Sequence, residues 1–168
     1  MEIWDAYYKD GTKANKDLVR GKDIPEGLFH VVCDVLVRHT DGDYLLMQRD
    51  YSKPSHAGEF EATAGGSMLK GEEPLDCIKR ELFEETGIKC DKFSLVSSFA
   101  FDDAQCIFYS FICTVDCDKD KITLQQGETI DYRWISEEDF LKYINSSHYS
   151  LRRKLRYIPY FRAMEYVE

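Results

Sequence analysis

The spacing of apolar residues along the chain changes period several times, and each change predicts an element. Residues 2–8, EIWDAYY, alternate apolar with polar and run into Asp10-Gly11, which predicts a strand opening a hairpin. Residues 12–27 are polar, carry Gly21, Pro25 and Gly27, and read as the return limb and a loop. The run LFHVVCDVLV over 28–37 is nearly continuous and rich in β-branched residues, so a buried strand is expected; Asp41-Gly42 then turns it back into residues 44–49 as a central hairpin. Residues 59–64 form a strand leading into Gly65-Gly66. FSLVSSFAF (93–101) and IFYSFICTV (107–115) read as two strands joined across residues 102–105, their aromatics in the core, and IDYRWI (130–135) reads as a last strand.

A repeat of three and four replaces the alternation in three places. Over 74–86, Leu75, Ile78 and Leu82 give one apolar stripe, Pro74 suits the first turn and Gly87 the left-handed stop. Ser136-Glu137-Glu138-Asp139 is close to a capping box ahead of Phe140, Leu141 and Ile144, so a helix covers the sheet there. Ser150 caps a last element in which Leu151, Leu155 and Ile158 repeat and Pro159 interrupts the pattern. The basic run on that element, Arg152, Arg153, Lys154 and Arg156, reads as a solvated helix face against an acidic domain.

Composition narrows the class. With 168 residues, 43% of them hydrophobic and 14% aromatic, the chain suits one globular domain with a continuous core. No apolar run approaches the ~20 residues of a membrane span. The charged N-terminus does not look like a signal peptide, so a soluble cytoplasmic protein is expected. A net charge of −9, from thirty-one acids against twenty-two bases, argues against a nucleic-acid polymer as partner. The six cysteines form no CxxC pair and read as reduced core thiols. The sequence leaves monomer and homodimer both open.

The candidate chemistry lies in GGSMLKGEEPLDCIKRELFEETGI, residues 65–88. Glu81, Glu84 and Glu85 stand three and four apart on one helix face, where like charges destabilise a bare helix unless a cation sits among them. Carboxylate oxygens are hard ligands and point to Mg²⁺ or Mn²⁺. Arg80 is placed to pair with Glu84 one turn on, and its guanidinium suits bidentate holding of a carboxylate. Gly65-Gly66 lets the backbone bend and bring a carbonyl close to a ligand. Taken without their spacing, the same glutamates would also make an ordinary solvated acidic face.

The spacing is Gly66, five residues, Glu72, seven residues, Arg80-Glu81-Leu82, one residue, Glu84-Glu85, one residue, Gly87-Ile88. It matches every fixed position of the signature of the Nudix hydrolases, and the chain resembles that family over roughly residues 28–145. Residues 1–27 are then an N-terminal hairpin and 146–168 a helical C-terminal extension of a single domain. The resemblance implies an α/β fold of the α+β kind, an α/β/α sandwich with a mixed central sheet, that uses divalent metal to hydrolyse a small-molecule diphosphate linked to another moiety. It implies Glu81, Glu84 and Glu85 as metal ligands, Gly65 as the carbonyl ligand, Arg80 as the residue orienting the glutamates and Glu72 as a supporting carboxylate. Glu128, shortly before the RWIS strand, resembles the loop glutamate that serves as a further metal ligand or general base. On the substrate side, Arg49 at the end of LLMQR is the candidate phosphate contact. Phe60, where many members have a tryptophan, and Glu61 join it, with Lys53 and His56 on the loop 50–58.

Two other readings compete with hydrolysis. WDAYYKDG and IPEGLFH are similar to the opening of the branch that includes isopentenyl-diphosphate isomerases, but those place a catalytic cysteine where this chain has Ala64. A binding domain without turnover would be expected to lose signature glutamates, and here all are present. The strings that mark substrate subclasses are absent, so the diphosphate is left open.

Overall fold

The computed structural model describes residues 1–167. Strands β1 (Ile3–Tyr7) and β2 (Lys13–Val19) pair antiparallel into the expected hairpin arm, with Gly11 at a φ of 86° in its turn. The arm is bolted down. Trp4, Ala6, Leu18 and Leu28 bury a small core of their own against Leu69, and Trp4 stacks on His30 at 4.4 Å between ring centres. Lys70 N donates to Ile3 O at 2.9 Å and Gly71 N to the buried Asp5 carboxylate at 2.7 Å, which fastens the arm to the loop after Gly65-Gly66.

The main sheet is mixed and seven-stranded. It comprises β3 (His30–His39), β4 (Tyr44–Arg49), β5 (Phe60–Glu61), β6 (Thr63–Ser67), β7 (Phe93–Phe101), β8 (Cys106–Val115) and β9 (Thr129–Ile135). The order is β5-β4-β3-β8-β7, with β6 on β3 and β9 on β4. β3 runs parallel to β8 from His30↔Cys106 to His39↔Val115. It is covered on both faces, which is why its sequence is a near-continuous apolar run.

The central hairpin differs from expectation. β3 and β4 register only at Arg38↔Tyr44 and then part; β6 lies beside β3 from Val32 to Leu36, while β4 pairs with β5 and β9. The strand expected over 59–64 is accordingly broken at Ala62, where the chain crosses from β4 to β3. The parting leaves a gap between two half-sheets, and the site lies in it.

Helices cover both faces. On one, α1 (Pro74–Thr86) sets Cys77, Ile78 and Leu82 against Val31, Cys33, Val35 and Val37 of β3. On the other, α2 (Glu137–Ile144) and α3 (Leu151–Ala163) bury Phe140, Ile144, Tyr157 and Phe161 against Leu36 and Tyr44. This is the α/β/α sandwich. Gly87, at φ 73°, ends α1 by donating to Phe83 O at 2.8 Å, and Ser136 and Ser150 cap α2 and α3 by accepting from Asp139 N and Arg153 N.

Two helix faces are not the expected ones. Leu75 is 50% exposed, because the buried stripe of α1 runs out before the first turn. On α3 the predicted face fails: Leu151 is 70% exposed, while Arg156, Tyr157 and Phe161 are buried, and the helix continues through Pro159. Two aromatic rings four residues apart bury more surface than the leucines, and Arg156 meets a buried carboxylate, so the helix turns that way. No helix of the described residues is long and apolar enough to cross a membrane.

Candidate active site

The bend before α1 is built for close approach. A Cβ on Gly65 would stand 2.2 Å from Cys33 O, and one on Gly66 would stand 2.6 Å from Glu81 Oε1. Glycine is required at Gly65, where a Cβ would meet backbone, and at Gly66 its absence of a side chain lets the Glu81 carboxylate sit directly against bare backbone.

Arg80 organises the glutamates around that bend. Its Nε donates to Glu72 Oε1 at 2.7 Å and its Nη2 to Glu72 Oε2 at 2.9 Å. Its Nη1 donates to Glu81 Oε1 at 2.6 Å and to Glu84 Oε2 at 3.2 Å. The bidentate partner is thus Glu72 rather than Glu84, eight residues back across the helix start. The guanidinium, with the Leu69 N–H that also binds Glu72, holds the Glu72 carboxyl below its ordinary range, and Glu72 in turn pushes Arg80 up.

Glu81 and Glu85 shift the other way. Burial raises Glu81 despite Arg80. Among the described residues Glu85 accepts only the Gly65 N–H, at 3.3 Å; burial and then the neighbouring Glu81 push its carboxyl well above the usual range. A buried acid with no cation beside it is costly, and this one sits where the signature places a metal ligand.

Do these residues suit a divalent cation? Among the described residues no three potential ligand side chains gather into a metal-holding cluster, because Glu81 and Glu84 are turned toward Arg80. The donors themselves fit. They are carboxylate oxygens of Glu81, Glu84, Glu85 and Glu128 around a bare-glycine bend, a hard set with no soft ligand among them.

Two openings meet at Glu85, Glu128, Gly65 and Arg49. A cleft of about 720 Å³ holds Glu81, Glu84 and Glu85 on one wall and Arg20, Arg49 and Lys53 on the other. Lys53 pairs with the Glu128 carboxylate. The hairpin arm supplies Arg20 and Glu2, joined at 2.7 Å, so it is a wall of the cleft rather than an appendage. The second opening, a cavity of about 240 Å³ in the gap between the half-sheets, runs from those shared residues to the start of α3.

The substrate-side expectations divide. Arg49 lines both openings, with Nε donating to Ser55 O at 3.1 Å and Nη1 to Glu61 Oε2 at 3.5 Å. Glu61 lines the cavity but is claimed by Arg49 and Arg153 together. His56 lines the cavity and Lys53 the cleft. Phe60 lines neither; its ring lies under the Arg133 guanidinium at 4.1 Å and packs with the aromatic cluster beneath α2 and α3. The basic run of α3 is not a solvated face, since Arg152, Arg153 and Arg156 line the cavity. The sequence held one clue to this: Asp34, a lone carboxylate inside the apolar run of β3, required a buried partner, and Arg156 is that partner at 2.6 Å. Nothing comparable marked Arg20 or Glu2.

His30, at the start of β3, makes a close contact with a cysteine. Its Nε2 lies 2.7 Å from Cys106 Sγ, and burial pushes the imidazole down to about 4 and the thiol up to about 11, so the pair is inert packing rather than a nucleophile and its base.

Known proteins share this fold. The family model described as NUDIX domain matches residues 28–155. An uncharacterized Nudix hydrolase of Listeria monocytogenes, lmo0368, is 32% identical over 96% of this chain and 90% of its own length. Among solved structures, DR0079 from Deinococcus radiodurans superposes with a TM-score of 0.74 at 16% identity, covering 95% of this chain and 99% of that one. The NUDIX domain of Shewanella oneidensis NrtR, complexed with ADP ribose, gives 0.56 at 15% identity over 68% of this chain and 77% of its own. With the signature folded as described and a relative matching it almost end to end, this chain belongs to the Nudix hydrolases, enzymes that cleave pyrophosphate bonds and generally use divalent metal cations.

Proposed function

We propose that the protein hydrolyses, with Mg²⁺ or Mn²⁺, a nucleoside diphosphate linked to another moiety. The carrying observation is the cluster of carboxylates at the Gly65-Gly66 bend, where Glu85 is left without a cationic partner among the described residues and Glu81 rests on bare backbone. Glu81, Glu84 and Glu85, with Glu128 and the Gly65 carbonyl, are the groups that would hold the cation. A divalent cation there would supply charge screening for the phosphate oxygens and acidity for a water.

The chain's own residues do the rest. Arg80 and Glu72 fix the direction of Glu81, so that its carboxylate does not swing with the helix surface. Arg49, Lys53 and Arg20 face the glutamates across the cleft and position the diphosphate oxygens. Glu128 or Glu81 takes the proton of the water that adds to phosphorus as one P–O bond of the diphosphate breaks. An ADP-ribose complex of a structural neighbour supports a linked nucleotide as the kind of ligand this fold accepts.

The test is phosphate or nucleotide release from a panel of nucleoside triphosphates, sugar nucleotides and dinucleotides with each metal. Turnover is expected to need the metal and to fall roughly 10²–10⁴-fold in Glu85→Gln. A variant as fast as wild type would remove Glu85 from the chemistry.

A further inference from the structure

Three guanidiniums at the start of α3 face the cavity beside the cleft, and their surroundings are built rather than incidental. Arg156 is 5% exposed, donates through Nη2 to Asp34 Oδ2 at 2.6 Å, and lies 3.9 Å from the centre of the Phe108 ring. Its Nε has no partner among the described residues. Arg153 pairs with Glu61, which also accepts from Arg49, so two guanidiniums share one carboxylate. Arg152, at the mouth, pairs with Asp103 and lies 5.3 Å from the Phe101 ring centre.

Away from the glutamates at the cleft end, four arginines line this cavity against Asp34 and Glu61, and Asp103 meets Arg152 beside it, so the arginines outnumber the carboxylates they pair with by one. The surplus is positive and confined. Phenyl faces hold two of the guanidiniums in place, so little freedom is lost when they bind. Ser150 lines the cavity as well, bringing the positive end of the thirteen-residue helix to the same spot. A fork of guanidinium donors in a helix-end field is suited to the oxygens of a phosphate.

We propose that this cavity is a second phosphate subsite, and that the preferred substrate is a nucleoside diphosphate derivative whose nucleoside carries a phosphate monoester of its own. The choice of substrate rests on the reaction proposed above; the binding of phosphate does not. The diphosphate lies at the glutamates, the monoester on Arg152 and Arg153, and the nucleoside between them runs past Val32, Met47 and Phe108.

Two measurements separate the claims. Inorganic phosphate titrated calorimetrically into the full chain in EDTA is expected to bind saturably, with affinity falling about tenfold in Arg152→Gln. Arg152 is the variant of choice because its half-exposed side chain leaves the buried pairs intact, which circular dichroism checks. Arg153→Lys, keeping the charge without the fork, is expected to lose affinity too. No binding, or unchanged binding in both variants, overturns the subsite.

The second measurement compares matched diphosphates that differ by one monoester: NADPH with NADH, and coenzyme A with dephospho-coenzyme A. Wild type is expected to favour the phosphorylated member in kcat/KM by about tenfold, and Arg152→Gln to bring that ratio toward one. Turnover of both members with no preference overturns this inference and leaves the reaction standing. Phosphate binding without turnover of any diphosphate overturns the reaction and leaves the subsite standing.

Discussion

Helices α1 and α3 have thirteen residues each, lie on opposite faces of one sheet, and bring opposite charges to one cavity. They differ in where their charges are answered. Glu81 and Glu84 of α1 are met by Arg80 within the same helix, and Arg80 by Glu72 eight residues away. Arg152, Arg153 and Arg156 of α3 are met by Asp103, Glu61 and Asp34, at separations of 49, 92 and 122 residues. Local compensation shows in a sequence as a motif; compensation across the fold shows as an unexplained run of one sign.

The largest test of that contrast is Asp34→Ala, which strands Arg156 in the core. It is expected to cost about 3–5 kcal/mol in urea unfolding, as for any buried pair losing one partner. A loss under about 1 kcal/mol would mean that α3 docks on its aromatics alone and that the distant pairing is decoration.

A smaller effect of opposite sign is expected on α1. The raised Glu85 carboxyl favours the folded state while protonated, so that contribution is present below the ordinary carboxylate range and is lost as pH rises through the elevated value. In EDTA the wild type should therefore lose stability over that rise, and Glu85→Gln should flatten it and gain roughly 1 kcal/mol at neutral pH, about 2–4 °C in Tm. A variant less stable than wild type, measured by differential scanning calorimetry, would show Glu85 to be already compensated. The smallest effect belongs to Leu75→Ala, expected to stay within about 0.5 kcal/mol because the residue overhangs the sheet.

Much of the fold was legible for the same local reasons. β4 and β7 cover the residues read as strands, 44–49 and 93–101, and the caps at Ser136 and Ser150 act as their types predict. The parting of β3 from β4 was not legible, since Asp41-Gly42 announces a hairpin but cannot say how far its limbs stay paired. The face of α3 was misread because periodicity weighs leucines and ignores a carboxylate on another strand. At the site, the signature put Glu72, Glu81, Glu84 and Glu85 near one bend but left Glu2 unmarked, and Phe60 carried only the place of a family tryptophan; a place in the chain is not a direction in space.

Arg80 has one more consequence. Because its guanidinium already sits against Glu72, Glu81 and Glu84, the cleft carries an internal counter-ion, and the chain is expected to fold without a metal. A divalent cation bound there would exchange with Arg80 for its carboxylates. Chelation should then silence the protein reversibly while leaving it folded.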